Sequence, residues 1–191
     1  MKFKLLLVMI VPVLLAQSKL QAAPIQYEGS LTSGQTVTGS VGGFGWTDDD
    51  PANVDFWTFM STAGTRISIA GTRLDTPLDL AFSLFQGTTT ADASLFTHNA
   101  NFGGLSLLAI ADDEVEVPGP FGDPRLASFL VPLTSAYTIA IGGNLSDAAG
   151  PFRYSLTFQQ QVPEPASLLL VASALMLLPF GFAHRRRRPN R

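Results

Sequence analysis

Apolar positions along this chain fall into three regimes. They run almost unbroken from Leu5 to Ala16, alternate with polar residues through the middle, and dominate again from Leu168 to Ala183, where Ser173, Pro179 and Gly181 interrupt them. In the middle regime Leu78, Leu80, Phe82 and Leu84 alternate with Asp79, Ala81 and Ser83. Tyr137, Ile139 and Ile141 alternate with Thr138 and Ala140, and Tyr154, Leu156 and Phe158 with Arg153, Ser155 and Thr157. A period of two sends one face of a strand into a core and the other outward. Further short strands are expected around residues 25–32, 35–41, 54–60, 65–70, 105–110 and 126–132. They are separated by Gly, Pro, Asn and Asp clusters, with no segment of helical period. Eight or nine such strands predict an all-β fold, an antiparallel β-sandwich spanning residues 24–161.

The two flanks read as targeting segments. Residues 1–23 open with Lys2 and Lys4, continue through the Leu5–Ala16 apolar run and reach small residues at Ala22 and Ala23. That order is a secretory signal peptide, read by the Sec machinery and cut by signal peptidase after Ala22 or Ala23. At the other end, residues 162–191 hold Val162, Pro163, Glu164 and Pro165, then the apolar run, then Arg185, Arg186, Arg187 and Arg188. A single transmembrane helix over 167–183 would cover roughly 26 Å, a little under a hydrocarbon core of ~30 Å. Four consecutive arginines resist translocation, which keeps them cytoplasmic and the middle domain outside.

This tail resembles the PEP-CTERM sorting signal of Gram-negative bacteria that make exopolysaccharide. The resemblance implies transient anchoring in the inner membrane, then cleavage near Pro163-Glu164-Pro165 by an exosortase, a membrane cysteine enzyme. It also implies release to the cell surface or the exopolysaccharide matrix. Without the Pro-Glu-Pro motif, the same tail would read as an ordinary membrane anchor behind a proline-rich linker.

Charge sharpens the division. All three lysines lie in the first 23 residues, and five of nine arginines lie in the tail. The middle keeps four arginines against 14 acidic residues, a net charge of about −10. Such a domain is a poor partner for nucleic acid, whose phosphates need Lys and Arg. Its 138 residues suffice for a core without disulfides, and the absence of cysteine excludes thiol nucleophiles and cysteine zinc sites. Eleven of the 14 phenylalanines supply that core.

Enzymatic chemistry finds little support. The domain holds one histidine, His98, in the polar turn Thr97-His98-Asn99, with no Gly-x-Ser-x-Gly elbow to place a nucleophile beside it. One histidine cannot build an HExxH or three-histidine metal site. Gly42-Gly43-Phe44-Gly45 lacks the Lys and the helix of a phosphate loop. A paired-carboxylate glycosidase would use the same acidic residues considered below, but clear aromatic subsites are missing. Trp57 falls in a strand and reads as core. Trp46, beside Gly45 and the Asp48-Asp49-Asp50 loop, reads as the better carbohydrate contact. Asn144-Leu145-Ser146 formally fits a glycosylation acceptor.

The order of motifs from residue 36 to 159 is similar to a bacterial prepeptidase C-terminal (PPC-like) domain, a jelly-roll-like sandwich. The matching pieces are Asn53-Val54-Asp55-Phe56-Trp57-Thr58-Phe59, Ala63-Gly64-Thr65, the strand from Leu78 to Phe85, Ala111-Asp112-Asp113-Glu114, the strand from Ser135 to Gly143, and Tyr154 to Phe158. Two departures are visible: Ser135-Ala136-Tyr137 replaces a Gly before the aromatic strand, and residues 86–110 are longer than the pattern. The resemblance implies that Asp55, Asp79 and Asp112 or Asp113 converge at one end of the sandwich, where they would take calcium. Neither acidic run has EF-hand spacing, and turn-capping aspartates would look the same in sequence. The sequence thus points to an exported, non-enzymatic surface component, structural or adhesive. A calcium-organised carbohydrate- or protein-binding module is the rival, and a secreted hydrolase the third.

Overall fold

The computed structural model describes residues 23–161. The signal peptide, apart from its last residue, and the sorting tail with its 167–183 span lie outside the described residues. Among the described residues no helix is long and apolar enough to cross a membrane.

Nine strands lie close to where the alternation predicts them: β1 (Tyr27–Ser30), β2 (Gln35–Val41), β3 (Val54–Ser61), β4 (Arg66–Arg73), β5 (Leu80–Gln86), β6 (Ser106–Ala111), β7 (Arg125–Leu130), β8 (Ser135–Gly143) and β9 (Phe152–Gln161). They form two stacked sheets, a five-stranded β1-β3-β8-β5-β6 and a four-stranded β2-β9-β4-β7. The inward positions meet in one core. Phe59, Phe82, Ile139, Ile67, Tyr154 and Phe158 are fully buried, and the Phe59 ring stacks on Tyr137 with centroids 5.2 Å apart.

Two sequence expectations change here. The sandwich is antiparallel except at one edge, where β1 runs parallel to β3. The chain then leaves this sheet at once: Leu31 N–H donates to the Thr58 carbonyl at 2.7 Å, and β2 joins the other sheet. Secondly, β5 and β8 are buried on both faces rather than one. The connection after β5, the stretch longer than the PPC-like pattern, folds back over the outside of the five-stranded sheet. There Phe96 meets Phe56 at 5.3 Å, Phe102 meets Phe85 at 5.0 Å and the two meet each other at 5.4 Å, all edge-on, closing a second core with Ile25, Trp46 and Leu105. Edge-to-face contact suits aromatic quadrupoles. Alternation on β5 therefore marks two different cores rather than inside and outside. Among the described residues both cores are built between Ile25 and Phe158, so residues 23–161 carry their own hydrophobic cores.

Candidate functional site

The antiparallel pairing of β5 with β6 and β8 sets Leu80 opposite Gly143 and Phe82 opposite Ala111. The start of β5 and the ends of β6 and β8 therefore share one end of the sandwich. Asp79 immediately precedes β5, Asp112 and Asp113 immediately follow β6, and Asn144-Leu145-Ser146 follow β8. One carboxylate oxygen from each of Asp79, Asp112 and Asp113 lies within 4.8 Å of the others.

Backbone and amide donors hold this group in place from one side. Leu145 N–H donates to Asp79 Oδ2 at 3.1 Å, Asn144 Nδ2 to Asp112 Oδ2 at 2.9 Å, and Gly122 N–H to Asp113 Oδ1 at 2.6 Å. Asp79 N–H donates to Ser146 Oγ at 2.9 Å, and Glu114 Oε2 accepts from Asp112 and Arg125 N–H. Ser146 is only 3% exposed, and Asn144 is committed to Asp112, so the glycosylation triplet works as a brace for the carboxylates.

The second oxygens of two of these carboxylates are buried with no partner: Asp79 Oδ1 and Asp112 Oδ1. A buried acceptor left unpaired costs about 1–3 kcal/mol, more when charged. The electrostatics carry the same strain. Burial, then the charges of Asp79, Asp113 and Glu114, push the Asp112 carboxyl up to about 6 against the opposing bond from Asn144. Burial raises Asp79 as well, helped by Asp113 and opposed by the Leu145 N–H and Arg73. Arg73 itself is turned to Asp123, with Nε 4.0 Å from Oδ1, and does not enter the cluster as a partner. The donor set fits a hard divalent cation: oxygens each about 2.4 Å from a calcium ion sit at most about 4.8 Å apart. Asp79 Oδ1, Asp112 Oδ1 and a free oxygen of Asp113 would hold it, with water or carbonyls completing the shell.

Asp55 does not join them. It faces the space between the sheets, where its Oδ2 accepts from Tyr154 Oη at 2.6 Å, and Tyr154 Oη accepts from Trp57 Nε1 at 2.8 Å. Burial raises its carboxyl, and the Tyr154 bond opposes that rise. The reason is register: Asp55 shares its strand face with Trp57 and Phe59, which point into the central core. Gly39 of β2 makes room for this link, since a Cβ there would lie 2.3 Å from Asp55 Oδ2 and 2.4 Å from Tyr154 Oη.

Trp46 is corrected too. It is 5% exposed and part of the second core, with Nε1 donating to Ser83 Oγ at 3.0 Å, so its ring offers no face to a sugar. His98 is half-buried. Its ring lies 4.3 Å from that of Trp46, and Nδ1 sits 2.7 Å from Asp49 Oδ1. The Ser83 hydroxyl donates to the His98 carbonyl, not to the imidazole, so these residues do not form a nucleophile–base pair.

No family model and no curated protein matches the chain. Several solved structures are similar in fold. CorA, a surface-associated copper-binding protein of Methylomicrobium album BG8, superposes with a TM-score of 0.51 at 12% identity over 74% of this chain and 100% of its own. The pre-peptidase C-terminal domain of a Bacillus anthracis collagenase gives 0.43 at 14% identity over 70% and 97%. PliG of Aeromonas hydrophila, a periplasmic inhibitor of g-type lysozyme, gives 0.43 at 14% over 69% and 94%. At this identity the CorA likeness speaks to the sandwich alone.

Proposed function

We propose that this chain is an exported, non-enzymatic surface protein, delivered by the PEP-CTERM-like tail to the envelope or the exopolysaccharide matrix. The observation that carries this reading is the order of the tail: Val162-Pro163-Glu164-Pro165, a short apolar run, then Arg185 to Arg188. The tail follows a domain whose two cores, among the described residues, are built between Ile25 and Phe158. Exosortase is the processing partner, and the inner membrane a transient one. Replacing Pro163, Glu164 and Pro165 with alanine in the native host tests it. The altered protein should accumulate in the inner membrane at full length while the parent reaches the surface. Equal surface delivery of both would refute the sorting role.

A second reading concerns what the domain does on arrival, and the two unpartnered oxygens favour it. The Asp79–Asp112–Asp113 end is a calcium site that rigidifies the three loops around it, in a module that binds carbohydrate or protein. The PPC-like resemblance supports this reading for these three positions, while Asp55 falls outside the site. Titration calorimetry with calcium on residues 23–161 tests it. One calcium per chain, lost in Asp79→Asn, is expected; no heat above dilution at millimolar calcium would overturn it.

A further inference from the structure

The domain's charges are segregated in a way its net charge conceals. All four of its arginines sit in strands of the four-stranded sheet: Arg66 and Arg73 on β4, Arg125 on β7 and Arg153 on β9. None of its 14 acidic residues lies in β2, β4, β7 or β9. Register separates the two faces of this sheet. Val37, Ile67, Ile69, Leu156 and Phe158 point into the core. Their neighbours point outward, with Thr36 opposite Thr157, Thr38 opposite Ser155, and Ala70 opposite both Thr157 and Arg125. The outer face is thus a carpet of hydroxyls and amides with guanidinium groups set among them.

A depression of about 470 Å³ lies on this face, lined by Ser68, Ala70, Thr72, Arg125, Thr157 and Gln159, with Asp123 also in its wall. Arg125 is exposed, and among the described residues its guanidinium has no carboxylate partner. Arg66 is exposed and donates to the neutral Ser128 carbonyl at 3.0 Å. Two carboxylates lie close by: Asp123, in the wall of the depression, is 5% exposed and accepts from the Arg73 N–H at 3.3 Å beside the Arg73 guanidinium, and Glu114 accepts from the Asp112 and Arg125 N–H groups. Arg153 is paired with Asp75 at 2.8 Å.

We propose that this outer face holds an acidic polysaccharide, with the polymer's carboxylates on Arg125 and Arg66 and its hydroxyls on the Ser, Thr and Gln side chains between them. The proposal rests on the surface reading above and names its partner. Three observations select this occupant. Hydrogen bonds between hydroxyls net little against water, so affinity must come from charge, and the charge carried by these strands is positive. No aromatic side chain points outward from these strands, so a neutral glycan lacks its stacking platform. Only Leu130 among their large apolar residues is exposed, too little for insertion into a lipid surface. At ten residues, β9 alone offers roughly 33 Å of track for an extended chain.

The test uses residues 23–161, which close their own cores and lack the tail arginines that would bind any polyanion. Retention on immobilised polygalacturonate and on neutral dextran is compared in EDTA, so that calcium cannot bridge carboxylates. Net charge of about −10 opposes adsorption to a polyanion, so retention would report the face itself. Selective retention on polygalacturonate is expected, falling about tenfold in Arg66→Gln/Arg125→Gln and lost above roughly 0.5 M salt. Thr157→Asp, an exposed-face change that leaves both arginines, should weaken it similarly. Equal behaviour on the two polymers, or unchanged retention in both variants at unchanged melting temperature, overturns the proposal. A chain that is sorted normally yet ignores polygalacturonate refutes this face alone. An unsorted chain refutes the surface reading whatever the polymer shows.

Discussion

Replacing Asp112 with asparagine should stabilise the metal-free domain at neutral pH, although it removes a charged residue from a hydrogen-bonded cluster. Asp112 is half-buried, shares its site with Asp79 and Asp113, and keeps one oxygen unpartnered. Its carboxyl is raised from 3.8 to about 6, first by burial and then by the neighbouring charges. A group whose folded value lies above its unfolded one favours the fold only while protonated. Its contribution is therefore retained below about pH 4, lost as pH rises through about 6, and absent above that. A rise of about two units corresponds to about 3 kcal/mol, and solvent screening at a partly exposed site reduces this to about 1–2 kcal/mol. Asparagine keeps an acceptor for the Asn144 Nδ2 bond and carries no charge. In EDTA, urea denaturation of residues 23–161 should show Asp112→Asn more stable than the parent by about 1–2 kcal/mol at pH 7.5. The two should converge near pH 4. Calcium should reverse the order at pH 7.5, because a ligand at 100 times its dissociation constant adds about 2.7 kcal/mol to the parent only. A variant equally destabilised at every pH, with or without calcium, would refute the electrostatic reasoning.

Other consequences follow from the packing. Gly39→Ala drives a methyl into Asp55 and Tyr154 and should lower stability by about 2 kcal/mol or more, read from urea midpoints at unchanged slope. Tyr154→Phe strands the Trp57 indole N–H and removes a bond to Asp55, with an expected loss of about 1–3 kcal/mol. Phe102→Ala opens the second core and should cost about 3–5 kcal/mol by the same assay; a loss below 1 kcal/mol would mean the 87–105 connection does not pack as described. Both tryptophans should resist iodide quenching in the folded domain and become accessible on unfolding, since Trp46 is 5% and Trp57 9% exposed.

Strand positions are legible in the sequence because alternation and turn residues are local signals, and all nine strands follow them. What alternation cannot reveal is what covers each face. Ala81, Ser83 and Ala140 occupy positions that read as outward, yet Phe96 and Phe102 fold back from the connection after β5 to bury that side of the sheet. Trp46 misleads for the same reason: a tryptophan among glycines and aspartates looks exposed until Ser83 and the Phe-rich connection are placed beside it. The acidic cluster is half-legible. Asp79, Asp112 and Asp113 follow from the motif order, because they flank strands that pair. Asp55 is indistinguishable from them in sequence and is separated only by its facing Tyr154 across the sandwich. Asn144 and Ser146 carry a signal that means something else, a glycosylation triplet, and their bracing role depends on where β8 ends. The charge segregation emerges only once the strands are sorted into sheets.

Delivery by a cleaved sorting tail is tested most directly by intact-mass spectrometry of the protein from its native host, comparing membranes with culture medium. The expected surface or medium species begins at Ala23 or Pro24, ends near Pro163-Glu164-Pro165 and lacks the arginine cluster. A chain found only in membranes and still carrying Arg185 to Arg188 would contradict it.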